Sequence, residues 1–346
     1  MNSVPGHLMS AEITSQPASV ARFLDHGLAD AISIGARIRR FRPRAVVIAG
    51  RGTSDHAALY AKYLIELLTG LPVGLVSCST ASVFEVTPSY ERVLWLGFSQ
   101  SGQSPDLLEH AARAAAGGAL TVSLTNTPGS ALAAITHHHL NIHAGPELAV
   151  AATKTYTNQL IAAWALIRAW TGGDLSALTA LPDQINSVLS HSDLTKLVDL
   201  VVEAPFTVLT GRGLSYPTAR EAALKLMETG YQPALAFSGA DLLHGPIAIL
   251  GTGVPVLVVV GFDASAAALT PVLSAARATA ASVCVIGDIT ATQGHEARVG
   301  VRRAEDPLLD PVLQILPLQL LACAASIGRG FDPDAPRALS KVTRTR

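Results

Sequence analysis

The chain has 346 residues, which is enough for two domains of ordinary size, each with its own hydrophobic core. Its 25 Lys and Arg residues are balanced by 26 Asp and Glu residues, and no segment concentrates the basic ones, so we expect no nucleic-acid partner. Only 15% of the residues are charged and 49% are hydrophobic, which favours thick α/β cores or contact between subunits.

The N-terminal residues show no basic region followed by an apolar run, so no secretory signal is expected and a cytoplasmic location is predicted. The longest apolar stretches, 254–261 and 315–327, are short or contain Pro317 and Gln319, so we expect no membrane-spanning helix. Three widely spaced cysteines in apolar surroundings are predicted to be buried and reduced: Cys78, Cys284 and Cys323.

Short β-branched runs alternate along the chain with alanine-rich segments of helical length, which is the pattern of parallel βαβ units. The predicted strands are 45–49, 75–78, 93–98, 120–124 and 139–142 in the first half, and 206–209, 254–260, 283–286 and 298–301 in the second. The predicted helices are 55–68, 104–115, 155–170, 217–229, 264–281 and 311–327.

The two halves of the chain repeat the same strand-to-turn sequence. Residues 47–54 resemble residues 208–215, and residues 96–99 resemble residues 260–263, at nearly the same displacement. Two matches in register predict a duplicated domain. The predicted organisation is an N-terminal helical segment (1–44), a first domain (45–175), a linker (176–195), a second domain (196–330) and a C-terminal tail (331–346).

A hydroxyl-rich loop lies where the predicted strand 93–98 turns into a helix. A helix N-terminus offers unpaired N–H groups and the positive end of its dipole, and serine hydroxyls add donors without adding charge. A capping role for one serine would not explain the whole set. The loop therefore predicts a phosphate site formed by Ser99, Gln100, Ser101 and Ser104.

The second half carries Asp263, Ala264 and Ser265 at the matching position, where a carboxylate would repel phosphate. One phosphate site per chain is therefore expected. The Gly50–Gly52 and Gly211–Gly213 turns lack the third glycine of a dinucleotide fingerprint, so NAD is not expected.

Glu221, Lys225 and Glu228 share one face of the predicted helix 217–229. This spacing is most often a solvent-exposed ion-pair stripe, but the helix begins at the ligand edge of the sheet in a chain poor in charge, which favours a packed site. His244 would supply a second acid/base group for proton transfer on a sugar, although a lone loop histidine is usually structural. The run 137–139 lacks the spacing of metal ligands, so no metal is expected.

Six motifs, in the same order, resemble the double sugar-isomerase (SIS) proteins, with the isomerase half of glucosamine-fructose-6-phosphate aminotransferase and the SIS-type glucosamine-6-phosphate deaminases as the most similar branches. Ser54 belongs to the first motif. The motifs span nearly the whole chain and comprise residues 50–54, 99–102, 145–154, 221–228, 244–246 and 339–343. The fold expected from this resemblance is α/β, with two duplicated SIS domains, each a flavodoxin-like α/β/α sandwich with a parallel sheet.

The resemblance also implies roles for individual residues. Glu228 is implied to be the base that moves a proton between C1 and C2 of the sugar. His244 is implied to open the sugar ring from the neighbouring subunit, which implies a homodimer with a shared active site. Lys341 is implied to form a Schiff base with an open ketose. The further substrate-binding and supporting residues implied are Ser54, Val150, Lys225, Ser340, Gly52, Thr53, Glu147 and Glu221.

The expected function is the cofactor-independent conversion of glucosamine 6-phosphate, a phosphorylated amino sugar, to fructose 6-phosphate and ammonia. The sequence shows no glutaminase domain, so glutamine is not the expected nitrogen source, and Met227 replaces a lysine usual in the aminotransferase. Three alternatives stay open: another sugar-phosphate aldose-ketose isomerase, a deaminase of galactosamine or fructosamine 6-phosphate, and a non-catalytic sugar-phosphate sensor. The first 40 residues are too few and too weakly basic for the DNA-binding domain of such a sensor.

Overall fold

The computed structural model describes residues 4–290 and 297–341. Its described residues divide into two compact units. The first lobe contains residues 18–147, 154–179 and 340–341, and the second lobe contains residues 4–17, 148–153, 180–290 and 297–339.

Each lobe contains a five-stranded parallel sheet in the described residues. The first sheet has the order β2-β1-β3-β4-β5, with β1 (Ala45–Ala49), β2 (Val73–Leu75), β3 (Val93–Phe98), β4 (Leu120–Thr125) and β5 (His138–Asn141). The second has the order β10-β9-β8-β6-β7, with β6 (Thr207–Gly211), β7 (Ala234–Ser238), β8 (Pro255–Val260), β9 (Ser282–Gly287) and β10 (Ala297–Gly300).

Both sheets follow the flavodoxin-like order 2-1-3-4-5 when their strands are numbered within each lobe, which confirms the predicted duplicated α/β fold. The strand order reverses between β1 and β3 in the first lobe, and between β6 and β8 in the second. Open parallel sheets bind ligands outside the carboxyl ends of the strands at such a reversal. The fold therefore singles out the loops that follow these four strands.

Helices cover both faces of the sheets, so the central strands are apolar along their whole length. In chain order the helices are α1 (His7–Thr14), α2 (Gln16–His26), α3 (Leu28–Phe41), α4 (Thr53–Thr69), α5 (Ser79–Ser82), α6 (Pro105–Ala116), α7 (Ala131–Ile135), α8 (Lys154–Thr171), α9 (Leu181–His191), α10 (Thr195–Glu203), α11 (Ser215–Gly230), α12 (Gly239–Leu243), α13 (Thr270–Ala278) and α14 (Asp310–Gly328).

Several predicted elements need correction. The strand predicted at 75–78 lies at Val73–Leu75, because Val73 is the buried residue that pairs with Val46 of β1. The helix predicted at 264–281 is wrong in its first turns, since a short 3₁₀ turn at Ala267–Leu269 precedes α13. Strand β7 was not predicted, and the proposed linker 176–195 contains helix α9, whose Leu181 and Ile185 are buried.

Helix α14 is the central helix of the second lobe and packs against α10 and α11. Pro317 lies inside it without ending it, in agreement with the helix predicted over 311–327. The segment Pro307–Gly328 is long and apolar enough to cross a membrane by length and composition alone, and 83% of its apolar window is buried within the structure. Such burial is that of a core helix.

Candidate functional site

The turn after β1 places Ser54 at the carboxyl end of the first sheet. Gly52 has a φ of +52°, and a Cβ on Gly50 would lie 2.7 Å from the carbonyl oxygen of Ser54, so both positions require glycine. Ser54 is buried, and its Oγ accepts a 3.0 Å hydrogen bond from Gln159 Nε2 on α8. The predicted supporting residue Thr53 is the first residue of α4.

The loop after β3 folds around its own serines. Ser99 Oγ accepts a 3.0 Å hydrogen bond from the N–H of Gly102, and Ser101 Oγ accepts a 3.3 Å hydrogen bond from the N–H of Gln103. Within the described chain, the N–H groups of Gln100 and Ser101 donate no hydrogen bond to the protein. Backbone N–H groups of this kind are suited to binding an anion.

Ser104 is the N-cap residue of α6, but its side chain makes no capping hydrogen bond. The alternative that Ser104 serves only as a side-chain cap is therefore not supported.

Helix α6 is held against β3 by a 3.0 Å hydrogen bond from Trp95 Nε1 to His110 Nδ1. Burial lowers the pKa of His110, which keeps the imidazole neutral and able to accept this bond.

An ion pair that the sequence did not reveal joins the two loops of the first lobe. Arg51, in the turn after β1, lies 2.7 Å from Asp106, in the first turn of α6. Burial of Asp106 favours the neutral acid, but hydrogen bonds from Arg51 and Ser82 outweigh it and hold the pKa of the carboxyl below its usual value. The pair raises the pKa of Arg51. The chain therefore carries a fixed cation and a fixed anion beside the hydroxyl-rich loop.

The described tail residues reach a buried carboxylate of the same lobe. Lys341 Nζ lies 3.0 Å from Glu147 Oε2, and Glu147 also accepts hydrogen bonds from the backbone N–H and the hydroxyl of Thr155 at 3.1 and 2.5 Å. Ser340 is exposed. The rest of the last motif, residues 342 and 343, lies outside the described residues. An ammonium paired with a carboxylate must lose its proton before it can act as a nucleophile.

In the second lobe, α11 brings Glu221, Lys225 and Glu228 together. Lys225 Nζ lies 3.4 Å from Glu221 Oε1 and donates a hydrogen bond to Glu228 Oε2. Glu221 and Lys225 are completely buried, whereas the side chain of Glu228 is 24% exposed. The solvent-exposed ion-pair stripe that this spacing usually indicates is therefore wrong for this helix, and Glu228 is the member of the group that a ligand can reach.

His244 ends the short helix α12 and is exposed, as are its neighbours Leu243 and Gly245. Gly245 has a φ of +124°, which favours glycine at the turn that follows. The structure therefore presents the imidazole on the surface of the second lobe and does not bring it to the group on α11 by a contact in the described chain.

Val150 lies in a segment held by a residue that sequence reasoning missed. The backbone N–H groups of Leu148 and Ala149 donate to the carboxylate of Glu12 on α1, a residue 136 or more positions away in the chain. Glu12 is buried. The only sequence signal was an acidic residue in a helix that is otherwise apolar on its buried face. Glu12 fixes the backbone that leads to Val150.

The loop of the second lobe that matches the serine loop carries the carboxylate of Asp263 and lies close to a second one, that of Asp310. Asp263 Oδ1 accepts a 2.7 Å hydrogen bond from the N–H of Ser265. Asp310, at the start of α14, is buried and accepts a 2.9 Å hydrogen bond from the N–H of Ala304. Burial raises the pKa of Asp310 to about 6, against the opposing effect of backbone hydrogen bonds. This loop differs in charge from its counterpart in the first lobe.

The histidines of the run 137–139 and the three cysteines lie in structural positions of the fold. His137 and His139 hydrogen-bond the hydroxyls of Thr121 and Thr125 on β4, at 2.7 and 2.8 Å. No group of three or more His, Cys, Asp or Glu residues in the described ranges could hold a metal ion. Cys78, Cys284 and Cys323 are free and buried, as predicted.

These features define a class: duplicated α/β proteins with a flavodoxin-like sheet in each half and a hydroxyl-rich loop after the third strand of the first sheet in chain order. The SIS domain family model matches residues 41–169 and 202–326. The chain belongs to the SIS domain family, which confirms the resemblance inferred from its motifs.

Curated relatives cover almost the whole chain. Glutamine--fructose-6-phosphate aminotransferase [isomerizing] of Methanothermobacter thermautotrophicus is 33% identical over 343 residues, which are 97% of this chain and 57% of the relative. The enzyme of the same name from Aquifex aeolicus is 33% identical over 346 residues, with the same shares covered. The chain thus spans 57% of the length of these relatives.

Solved structures show the same fold. A protein of Silicibacter pomeroyi described as a candidate phosphosugar isomerase is 37% identical, with a TM-score of 0.88 over 96% of this chain and 100% of that one. Glucosamine-6-phosphate deaminase of Thermotoga maritima is 20% identical, with a TM-score of 0.76 over 97% and 99% of the two chains. At this lower identity the likeness concerns the fold alone.

Proposed function

We propose that the chain is a sugar-phosphate enzyme that converts glucosamine 6-phosphate and water to fructose 6-phosphate and ammonia. The observation that carries the proposal is the group on α11, in which the buried Lys225 holds the partly exposed carboxylate of Glu228. Its support from relatives is that curated proteins matching 97% of the chain are isomerizing aminotransferases of fructose 6-phosphate.

The phosphate group is assigned to the loop after β3. Ser101 and the N–H groups of Gln100 and Ser101 supply donors, and helix α6 directs the positive end of its dipole at the loop. Ser99 and Ser104 complete the predicted set, with Ser54 as a hydroxyl on the neighbouring turn. These neutral donors would bind a phosphate dianion and leave the sugar to other residues.

The proton transfer is assigned to Glu228. In the open-chain amino sugar, the carboxylate takes the proton from C2, the electron pair forms the C1–C2 double bond of an enolamine, and the C1 oxygen takes up a proton. The same group returns the proton to C1 while the nitrogen loses one, which gives a ketose imine. Water then adds to C2 of this imine, and ammonia leaves. A positioned general base of this kind contributes about 10²–10⁴-fold to the rate.

His244 is assigned to the ring opening that precedes the proton transfer, and Lys341 to the ketose that follows it. An exposed histidine with no side-chain partner among the described residues is able to serve a neighbouring subunit, so we include ring opening by His244 of a second copy in the proposal. Lys341 is assigned to the open-chain sugar, with Glu147 holding its amine in place. A homodimer, a cytoplasmic location and independence from cofactors belong to the same proposal.

Simple aldose-ketose isomerisation of a sugar phosphate is the second candidate. It uses the same base and the same loop after β3, residues 99–104, which is called the anion loop below. The 37% identical structure described as a candidate phosphosugar isomerase favours this candidate. In this reaction the group on C2 of the aldose is a hydroxyl, so an enediol replaces the enolamine and no ammonia forms.

The two candidates are separated by assaying glucosamine, galactosamine, fructosamine and glucose 6-phosphates for ammonia and for ketose phosphate. The proposal predicts equal amounts of ammonia and fructose 6-phosphate from glucosamine 6-phosphate. Conversion of glucose 6-phosphate with no release of ammonia from any amino sugar supports the isomerase instead. A sugar phosphate that raises the melting temperature but is never turned over contradicts both and supports a sensor.

A further inference from the structure

The proposed anion loop has an acidic residue in the first turn of its helix. Asp106 follows Ser104 by two positions and is only 4% exposed. Its Oδ1 atom is buried without a hydrogen-bond partner among the described residues, so the protein compensates this carboxylate mainly through Oδ2. A buried carboxylate beside a phosphate loop opposes the binding of a dianion, because like charges in a poorly solvated site repel strongly.

Arg51 supplies the compensation from the other loop. Its Nη2 donates a 2.7 Å hydrogen bond to Asp106 Oδ2, and 46% of the Arg51 side chain is exposed while that of Asp106 is 6% exposed. The Arg51 side chain is therefore half exposed at the turn after β1, while its Nη2 atom reaches the buried acid. This turn leads directly into α4, whose second residue is Ser54, so one ion pair joins the segment that carries Ser54 to the segment that holds the predicted phosphate ligands.

The register of the sheet explains why this pair can form. Ala49 at the end of β1 is paired with Gly97 near the end of β3, so the two loops leave the sheet side by side. Gly52 follows Arg51 with a left-handed φ, which turns the chain into α4 within one residue of the arginine. The arginine is thereby held in one place relative to the serine loop.

We propose that Arg51 is a positioning residue for the phosphate group: it cancels the charge of Asp106 beside the loop after β3, without itself having to bind the sugar phosphate. The proposal rests on the proposed function only in that the loop after β3 binds phosphate; it does not depend on which reaction follows. Sugar phosphates that bind at this loop therefore require that the charge of Asp106 be cancelled or absent, whereas the chemistry on the sugar does not.

The test compares single and double variants by calorimetric binding of glucosamine 6-phosphate, with fructose 6-phosphate as a second probe and urea unfolding to verify that each variant is folded. Arg51→Met leaves the buried acid without its cation and is expected to weaken binding by about 10-fold or more. Arg51→Met combined with Asp106→Asn removes both charges and is expected to return the dissociation constant to within about threefold of wild type. Arg51→Lys keeps the charge, and its dissociation constant is expected to lie between those of the single methionine variant and the double variant.

A merely structural role for Arg51 would weaken binding in the single and double variants alike, and a direct contact with phosphate would do the same; either result overturns the proposal. Unchanged binding by Arg51→Met overturns it as well. A wild-type protein that binds neither sugar phosphate overturns both the phosphate loop and this proposal. If glucosamine 6-phosphate binds but no ammonia is released, only the proposed reaction fails. The dissociation constants of the Arg51 variants then still decide the role of Arg51.

Discussion

The ammonium of Lys225 lies 3.4 Å from the carboxylate of Glu221, and both side chains are completely buried. Removing charges from water carries a large free-energy penalty, which is offset only when every charge has a partner. Lys225 also donates to Glu228, so one cation serves two carboxylates on the same helix. The buried pair therefore fixes the direction in which the partly exposed carboxylate points.

Replacing Lys225 with methionine is expected to destabilise the protein by about 3–5 kcal/mol, because the buried Glu221 loses its nearest cation. Urea unfolding of the wild type and of Lys225→Met measures this change. The matched control is Lys62→Met, which breaks a partly exposed pair with Glu66 at the same i,i+4 spacing and is expected to change stability by no more than about 0.5 kcal/mol. Similar losses in the two variants would contradict the burial argument.

The sequence predicted the parts of the fold that rest on local patterns. Strands β1 and β3 have the predicted bounds, because both are short apolar runs that precede glycine or serine turns. Strand β7 was missed because its sequence, Ala-Leu-Ala-Phe-Ser, has no β-branched residue. The helix at 264–281 was predicted too long, since its alanines suit a helix but Asp263 and Ser265 form a local turn at its start.

The sequence was enough to select candidate site residues, but not to predict whether each one is buried or which partner it contacts. The spacing of Glu221, Lys225 and Glu228 fits an exposed stripe as well as a buried group, and only the packing of α11 against α14 decides between them. The pairing of Arg51 with Asp106 joins residues 55 positions apart and carries no local signal. Such contacts follow from the strand order of the sheet rather than from any motif.

Ser101→Ala is expected to raise the KM for glucosamine 6-phosphate by roughly 10-fold and to leave kcat within about threefold of wild type, because it removes one hydrogen bond to a charged group. Steady-state kinetics measure both constants. Ser265→Ala, at the matching loop of the second lobe, is the control and is expected to leave the KM unchanged. Equal effects of the two substitutions would show that the anion loop is not confined to the first lobe.

The pH dependence of stability is expected to reveal Asp310. Burial raises the pKa of this acid to about 6 in the folded protein, so the folded state binds its proton more tightly than the unfolded state. The stabilisation is complete below the unfolded pKa of about 3.9 and is lost as the pH rises through about 6. The change amounts to roughly 3 kcal/mol at most.

Unfolding free energies of the wild type and of Asp310→Asn, measured from pH 4 to pH 8, test this expectation. Because the asparagine cannot ionise, the variant gains stability relative to the wild type as the pH rises through about 6. A difference between the two proteins that does not change with pH would show that Asp310 is ionised throughout and contradict its raised pKa.

Two inactive variants are expected to restore each other if His244 acts in a neighbouring subunit. Neither His244→Ala nor Glu228→Gln homodimers contain a complete set of groups. A dimer with one copy of each variant contains one complete set, so re-association of an equal mixture is expected to recover roughly a quarter of the wild-type activity. Light scattering establishes the dimer, and an unrecovered mixture of confirmed mixed dimers would place His244 in the same subunit as its Glu228.

The most direct test of the account is the rate of ammonia release from glucosamine 6-phosphate by Glu228→Gln. The amide keeps the size of the side chain but cannot accept the C2 proton, so the rate is expected to fall by about 10²–10⁴-fold with substrate binding retained. Glu203→Gln, on the exposed end of α10, is the matched control and should keep the wild-type rate. Ammonia release by Glu228→Gln at the wild-type rate would contradict the assignment of Glu228 as the base.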